Sequence, residues 1–249
     1  MILIGITGAI GHGKTSLAEA LQKTESNSLH LETGMLIAEV ADALHKRLDV
    51  VPKPDDIAAI NSWLGYLPEI IMAVTNKKSQ TTDIIINESD INNHPELYEK
   101  LFVHLKTLAN KPDLAKQTIT VANKANHRAF LQWLGGYLVV KVDKGIWYDE
   151  LVSRLTTANK ALGIISGVRF PSDADAVHAA GGIIVKIQRP FVPEKDAQDP
   201  TERERKNVKN DVTIINDGSL QQISRCAFVL LQNVRCHELA KIYRTSDYQ

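Results

Sequence analysis

The stretch GITGAIGHGKTS, from Gly5 to Ser16, follows directly on the apolar run MILI at the start of the chain. Between Gly8 and Thr15 it matches the pattern G-x-x-x-x-G-K-[ST], in which a glycine-rich loop joins a buried strand to a helix. Loop glycines let the backbone point its N–H groups at a phosphate, and the dipole of the following helix favours negative charge there. The pattern therefore predicts a strand, a phosphate-binding loop and a helix in succession.

The chemical roles within this loop follow from the residue types. The Lys14 ammonium would reach the β- and γ-phosphates of a nucleotide, and the Thr15 hydroxyl would be a ligand of Mg²⁺. Leu17, Ala18 and Leu21 lie on one face of the helical segment that follows, which supplies the expected context. The predicted nucleotide-binding residues of the loop are Gly8, Gly11, His12, Gly13, Lys14, Thr15 and Ser16.

Strands and helices alternate along most of the chain. Short apolar, β-branched runs separated by amphipathic segments are typical of a parallel sheet with right-handed crossover connections. The segment DGSLQQISRCAFVLLQNVRCHELAKIY is predicted as one continuous C-terminal helix. The sequence thus predicts an α/β three-layer sandwich around a five-stranded parallel sheet. The predicted strands are residues 2–7, 28–32, 162–170, 182–189 and 211–216.

The segment 49–127 interrupts this alternation. It carries the turn signals VPKPDD, NNHPE and NKPD between helical pieces such as AAINSWLGYLPEIIMAV and ELYEKLFVHLKTLA. The pattern leaves the structure of TDIIINE, within the same segment, open. We predict that residues 1–48 and 128–249 form the nucleotide-binding core and that 49–127 is a helical insertion that forms the acceptor-binding region.

Charge and composition exclude several functional classes. Lys and Arg together number 29, as do Asp and Glu, so no overall field attracts nucleic acid or an anionic membrane. The sequence shows neither a long apolar run nor a leader with a cleavage site, which predicts a cytoplasmic protein without a membrane partner. Cys226 and Cys236 lie on different turns of one predicted helix, so we expect reduced thiols. The eight histidines show no metal-ligand spacing.

A phosphate-binding loop alone leaves many classes of nucleotide-binding protein open. The sequence lacks the NKxD pattern of GTPases, and the strand IIS runs into Gly167 where motor-type ATPases carry an acidic pair. The remaining large class is the small-molecule kinases, which build acceptor and lid sites from scattered arginines.

Four blocks of the sequence, in order, resemble the deoxynucleoside monophosphate kinases of tailed phages, relatives of the P-loop nucleoside monophosphate kinase superfamily. The first is the glycine-rich loop, and the second is HRAFLQWLGG with a later Trp, similar to R-x-[LF]-L-Q-x-x-G. The third, SGVRFPSDADAVHAAGGIIVKIQRP, resembles D-V-R-F-P-x-E followed by G-G-x-[IV]-[IV]-x-[IV]-x-R-P, and the fourth, NDVTIINDGSLQQI, resembles a closing strand and N-D-G turn. Together these blocks cover roughly two-thirds of the chain.

The resemblance implies a P-loop kinase that transfers the γ-phosphoryl group of ATP, with Mg²⁺, to a small-molecule acceptor, a deoxynucleoside 5′-monophosphate. It also implies a phage source and therefore a host cytoplasm, and it leaves a homodimer open. It implies that Arg128 clamps the acceptor phosphate, with Gln132 one helical turn on reaching the base. The acceptor pocket should begin at Glu32 and Thr33, after the second strand. The turn at Asn216 and Asp217 would pass beside the adenine.

Further arginines stand where the transferred phosphate would be. Arg169 lies at the end of a predicted buried strand, where ligands of open α/β sheets bind and where an arginine needs an anionic partner. We therefore expect it to bind the acceptor phosphate, and a structural ion pair is the alternative. Arg189 has the same position on the next strand and leads into the charge-dense segment 190–210, the predicted lid. Arg203 and Arg205 within the lid would neutralise the transition state. The predicted catalytic residues are Lys14, Arg128, Arg169 and Arg189.

Two departures from the family pattern leave alternatives open. Gly167 replaces the usual Asp, whose role could have moved to Glu32, Asp149 or Asp173. The lid signature H-x-S-E appears as DPTE, from Asp199 to Glu202, without its histidine. A kinase for another phosphorylated acceptor, such as dephospho-coenzyme A or phosphomevalonate, therefore stays open, as does an ATP-binding protein without catalytic activity.

Overall fold

The structure of the chain is a computed structural model that describes residues 1–75, 91, 95–120, 122–141, 145–193 and 200–248. It divides into two compact units, one made of Met1–Thr33 with Leu151–Gln249 and the other of Gly34–Glu150. The helices, in chain order, are α1 (Lys14–Thr24), α2 (Thr33–His45), α3 (Ile57–Leu64), α4 (Leu67–Thr75), α5 (Pro95–Asn110), α6 (Pro112–Ala115), α7 (Arg128–Lys141), α8 (Ile146–Thr157), α9 (Pro171–Ala179), α10 (Pro200–Arg205) and α11 (Leu220–Cys236).

The first unit is built on a parallel sheet. Its strands are β1 (Ile2–Thr7), β2 (Ser28–Glu32), β3 (Leu162–Ser166), β4 (Ile183–Gln188), β5 (Val212–Ile215) and β6 (Ile242–Arg244). They stand in the order β2-β3-β1-β4-β5-β6, and every neighbouring pair is parallel. The central strands are buried on both faces, which explains their unbroken apolar sequences. The predicted α/β fold with a parallel sheet is therefore confirmed.

The predicted number of strands was wrong, because the sheet has six strands and not five. The C-terminal helix, predicted to continue to Tyr243, ends at Cys236 since His237 adopts a left-handed backbone conformation with φ 57°. Residues Ile242–Arg244 then pair with β5. A strand of three residues is too short to show a period of its own beside a strongly amphipathic helix.

Helices cover both faces of this sheet. Successive strand residues point to opposite faces, and Ile4 and Ile6 pack with α1 and α11 in one apolar cluster. On the other face a Cβ at Gly5 would touch Val177 of α9 at 3.4 Å. Cys226 is buried in the cluster and Cys236 is exposed, and both are free thiols as predicted.

The second unit is helical in its described residues. Its core contains a run of stacked rings: Trp63 on Phe130, Phe130 on Trp133, and Trp133 on Tyr137, with centroid separations of 5.6, 5.9 and 4.9 Å. The predicted segment TDIIINE lies outside the described residues. The assignment of 49–127 as an insertion that binds the acceptor stays a prediction.

One helical stretch among the described residues, Ile57–Thr75, is long and apolar enough to cross a membrane by length and composition, a test that core helices also pass. The chain turns within it at Gly65 and Tyr66, which separate α3 from α4. Buried side chains occur on both helices, namely Ile60, Trp63, Leu64, Leu67, Ile70, Ile71 and Thr75. Two short helices with buried faces are typical of a globular core.

Candidate functional site

The glycine-rich loop between β1 and α1 has a backbone that glycine adopts far more readily than other residues. Gly8, Gly11 and Gly13 have positive φ angles of 155°, 83° and 104°. A Cβ atom on Gly8 would lie 2.3 Å from the backbone oxygen of Ile187, and one on Gly13 would lie 2.6 Å from Nδ2 of Asn216. The close approach of the ends of β4 and β5 therefore requires glycine at two of these three positions.

The start of α1 presents backbone donors to this loop. Gly13 is the N-cap residue, no side chain caps the helix, and the first turn contains no acidic residue. An uncapped helix start attracts anions through its N–H groups and its dipole. Nζ of Lys14 donates to the carbonyl oxygens of Gly8 and Ala9 at 2.7 and 3.0 Å, so its positive charge lies over the loop. This combination of donors and charge suits a phosphate group.

Residues from the ends of β4 and β5 hold the loop in this shape. Nδ2 of Asn216, which is 5% exposed, donates to the backbone oxygen of His12 at 3.0 Å. The backbone N–H of Asn216 donates to the carbonyl of Gln188 at 2.8 Å. The backbone N–H of Arg189 donates to Nδ1 of His12 at 3.3 Å. The structure thus brings the predicted residues His12, Arg189 and Asn216 together.

Because the strands are parallel, the residues that follow them lie along one edge of the sheet, where ligands of open α/β sheets bind. The register places Glu32 opposite Ser166, and Ser166 opposite Ile6 on its other side. The residues that the structure brings together along this edge are Glu32 at the end of β2, Thr33 directly after it, Arg169 beyond β3, the glycine-rich loop after β1, Arg189 after β4 and Asn216 after β5.

Arg169 lies in a loop and not in the strand predicted for it, because β3 ends at Ser166. Gly167 begins this loop with φ 96°, and Oδ2 of Asp173 accepts the N–H groups of Arg169 and Phe170 at 2.9 and 2.8 Å. Burial raises the pKa of Asp173 to about 6, against these hydrogen bonds and the Arg169 charge, which lower it. Asp173 thus shapes the loop that carries the exposed Arg169.

His30 and Ser166 form a pair that the sequence analysis missed. Nε2 of His30 lies 2.8 Å from Oγ of Ser166 and 3.9 Å from Oε1 of Glu32. Burial lowers the pKa of His30, although the carboxylates of Glu32 and Glu19 act against it. Oγ1 of Thr33 is buried without a hydrogen-bond partner. Polar groups therefore gather where the sequence predicts the acceptor pocket, and a histidine within an apolar strand was the available signal.

Asp217, predicted to lie beside the adenine, is held by the C-terminal segment. Its carboxylate accepts the N–H of Ser246 at 3.0 Å and the hydroxyl of Thr245 at 3.2 Å. Oγ1 of Thr245 accepts the N–H groups of Asp217 and Gly218 at 3.0 and 2.7 Å. Desolvation would raise the pKa of Asp217, but hydrogen bonds from Ser246 and Thr245 outweigh it and lower the pKa. The carboxylate is thus engaged within the protein, and a nucleotide contact here would use the backbone.

The predicted lid, 190–210, is described except for residues 194–199, which include Asp199 of the DPTE segment. It contains the short helix α10, where the sequence shows no apolar periodicity. Arg203 is exposed, whereas Arg205 is only 5% exposed. The two predicted lid arginines therefore have different surroundings, and their catalytic roles stay predictions.

In the second unit, Arg128 is the first residue of α7, and Gln132 follows one turn later. Residues four apart share a helix face, and both side chains are exposed. Trp133 and Tyr137 are buried in the ring stack and serve packing. Asp149, one candidate for the missing acid, is exposed on α8.

Comparison with known proteins agrees with this arrangement. The family model described as deoxynucleotide monophosphate kinase matches residues 3–226. A protein of Acanthamoeba polyphaga mimivirus, named "Putative deoxynucleotide monophosphate kinase", is 23% identical over 230 residues, which are 89% of this chain and 92% of that protein. The matched range begins in β1 and ends in α11, so it includes the glycine-rich loop and the first five strands.

Proposed function

This chain belongs to the deoxynucleotide monophosphate kinase family, and from that premise we propose that it transfers the γ-phosphoryl group of ATP, with Mg²⁺, to deoxynucleoside 5′-monophosphates. Membership makes the protein a nucleotide kinase, a transferase. The observation that carries the finer proposal is the glycine-rich loop, in which Lys14 lies over an uncapped helix start. Such a loop binds the phosphates of a nucleoside triphosphate.

The donor triphosphate is proposed to bind along this loop. The N–H groups at Gly11, Gly13 and the start of α1 would bind its phosphates, and Lys14 would exchange its two carbonyl contacts for the β- and γ-phosphates. Asn216 is proposed to keep the loop in shape through its bond to His12. The adenine would lie near the turn that begins at Asn216.

The residues present also suit Mg²⁺. This ion takes oxygen ligands and is usually held by one or two protein oxygens together with substrate phosphates. Thr15 offers an exposed hydroxyl in the first turn of α1, beside the proposed phosphate position. When bound, Mg²⁺ would neutralise charge on the β- and γ-phosphates. We therefore propose Thr15 as the protein ligand, and we leave the acidic group that replaces the family Asp at Gly167 unassigned.

The proposed reaction needs no covalent bond to the protein. An oxygen of the acceptor phosphate attacks the γ-phosphorus in line, the bond from that phosphorus to the bridging oxygen breaks, and ADP leaves. Lys14, Arg169 and Arg189 would stabilise the charge that spreads over the transferred group. In the second unit, Arg128 would bind the acceptor phosphate and Gln132 its base.

An acceptor panel tests the proposal. Each deoxynucleoside monophosphate, its ribose counterpart, dephospho-coenzyme A and phosphomevalonate would be assayed by coupled ADP release with ATP and Mg²⁺. We expect turnover with at least one deoxynucleoside monophosphate and stoichiometric formation of the diphosphate. Turnover with only dephospho-coenzyme A or phosphomevalonate would show that the acceptor is not a deoxynucleoside monophosphate. ATP binding without turnover on any acceptor would favour the non-catalytic alternative.

A further inference from the structure

Three buried histidines from distant parts of the second unit meet at one place. His45 is the last residue of α2, His104 lies within α5, and His127 directly precedes α7. Their exposed fractions are 2%, 2% and 0%. One ring nitrogen from each lies within 4.8 Å of those of the other two. The sequence analysis did not predict this cluster, because its members come from three separate elements.

The rings of this histidine cluster hold nitrogens with no hydrogen-bond partner. These atoms are Nε2 of His45, Nε2 of His104 and both ring nitrogens of His127. A buried polar atom without a partner has lost its bonds to water and gained none in return, so four of them in one place need an explanation. A single bound cation would satisfy one nitrogen from each ring.

Neighbouring groups contact two of the three rings. Phe130 stacks on His104 with ring centroids 4.6 Å apart and planes 5° from parallel. The backbone of Gln117 acts to raise the pKa of His45, against the burial that lowers it, and Nε2 of His45 has no hydrogen-bond partner. A histidine that binds metal through one nitrogen usually donates its other N–H to a carbonyl or carboxylate. Nε2 of His45 is therefore a nitrogen that a metal ion could take.

The charge state also suits a cation. Burial, then neighbouring histidines, lower the pKa of His45 to about 4 and of His104 to about 3, and burial lowers the pKa of His127. These shifts favour the neutral form of each ring, which is the form that has a lone pair to donate. The carboxylate of Asp42 faces these rings and raises the pKa of His45 and of His127, against the effect of burial. Oδ1 of Asp42 accepts the N–H of Ile119, and Oδ2 lies 2.6 Å from Nζ of Lys46.

We propose that His45, His104 and His127 bind one transition-metal ion of the Zn²⁺ class, at a structural site separate from the proposed magnesium ligand Thr15. Three imidazoles are a donor set for zinc, whereas Mg²⁺ prefers oxygen. Zinc–nitrogen bonds of about 2.0–2.1 Å place tetrahedral ligand nitrogens about 3.4 Å apart, so the rings move inward by roughly 1 Å on binding.

The consequence of the site would be local order. The ion would join the end of α2, the middle of α5 and the residue before Arg128. It would therefore fix the start of the helix that carries the proposed acceptor residues.

The test uses the full chain without an affinity tag, with the exposed thiol removed by Cys236→Ser. Metal-stripped protein is titrated with Co²⁺ and then Zn²⁺ in excess Mg²⁺. We expect about one equivalent of cobalt with the strong visible bands of a tetrahedral site, displacement by zinc with Kd below about 1 µM, and a zinc-dependent rise in Tm. Binding of no zinc by the folded protein would overturn the proposal.

Two variants separate the cluster from adventitious binding. His104→Phe keeps a ring stacked on Phe130 but removes a ligand, and we expect at least about a hundredfold weaker zinc binding and no rise in Tm. His237→Asn changes an exposed histidine in a left-handed conformation that Asn tolerates, and it should bind zinc like the parent. Equal zinc affinity in both variants would overturn the assignment.

X-ray absorption of the zinc-loaded parent protein keeps the proposal falsifiable if His104→Phe does not fold. Three imidazole nitrogens at about 2.0 Å support the cluster, and a zinc shell of oxygen or sulfur without imidazole refutes it.

Discussion

The contacts of Lys14 predict how its replacement would affect phosphoryl transfer and thermal stability. Its ammonium rests on the carbonyls of Gly8 and Ala9, so its removal takes away charge and two hydrogen bonds without opening a cavity. We expect Lys14→Ala to keep the melting curve of the parent and to lose at least about a hundredfold in kcat, the scale of single electrostatic groups in preorganised sites. Phosphoryl transfer and thermal unfolding, measured side by side, check this.

Lys23 supplies the matched control, since it is exposed in the last turn of the same helix. Lys23→Ala should leave kcat within a factor of about two of the parent, because an exposed charge so far along the helix is screened. Activity of Lys14→Ala close to that of Lys23→Ala would end the phosphate-binding interpretation of the loop.

The raised pKa of Asp173 predicts how the free energy of unfolding depends on pH. Its folded pKa, about 6, lies above the ordinary value of 3.8, so between these values the native state binds more protons than the unfolded state. The free energy of unfolding should therefore fall as pH rises through this window, by roughly 1–3 kcal/mol from this group. Asp173→Asn keeps an oxygen acceptor for the two N–H groups and should remove that fall.

Urea unfolding at several pH values between about 4 and 7 measures this effect. Asp175→Asn is the control, because Asp175 is exposed on the same helix two residues later, and it should keep the parent slope. If the two variants show the same dependence on pH, burial does not govern the proton on Asp173.

At the scale of elements, α7 is proposed to present the acceptor ligands. Arg128 begins the helix and is exposed, as is Gln132 one turn on, while Trp133 lies in the core. Arg128→Ala should raise KM for the deoxynucleoside monophosphate at least about tenfold, since it removes a charge-assisted contact, with little change in binding of an ATP analogue. Lys124→Ala, an exposed cation four residues earlier, should change neither. Equal loss of both affinities in Arg128→Ala would indicate a structural arginine.

The helices and strands also show which parts of the fold could be predicted from the sequence. The pattern of β1, its glycines and α1 is local, so the order of strand, loop and helix could be predicted from adjacent residues. The short strand β6 and the ends of β3 depend on pairing with the neighbouring strands β5 and β1. Such pairing cannot be predicted from the periodicity of adjacent residues. The pair of His30 with Ser166 joins residues far apart in sequence, as does the histidine cluster, so only the folded chain brings them together.

At the scale of the whole molecule, hydrogen exchange with ligands tests which segments serve which substrate. An ATP analogue should slow exchange at 8–16 and a deoxynucleoside monophosphate at 128–132, because each ligand holds the backbone that it contacts. An analogue that links adenosine to a deoxynucleoside through phosphates should protect both segments and also α10, whose Arg203 is exposed without ligand. Protection of α10 equal in the free protein and the complex would remove the proposed role of the lid.

The hydrogen bonds from Thr245 and Ser246 to the turn at Asp217 connect the last residues of the structure with the proposed adenine position. These residues lie beyond the range that the family model matches, which ends at 226. Substitutions at Thr245 or Ser246 should therefore change the affinity for the proposed ATP donor while the glycine-rich loop keeps its sequence. Evolution or protein engineering could in this way adjust the affinity for ATP to the ATP concentration in the cell through residues 245–246 alone.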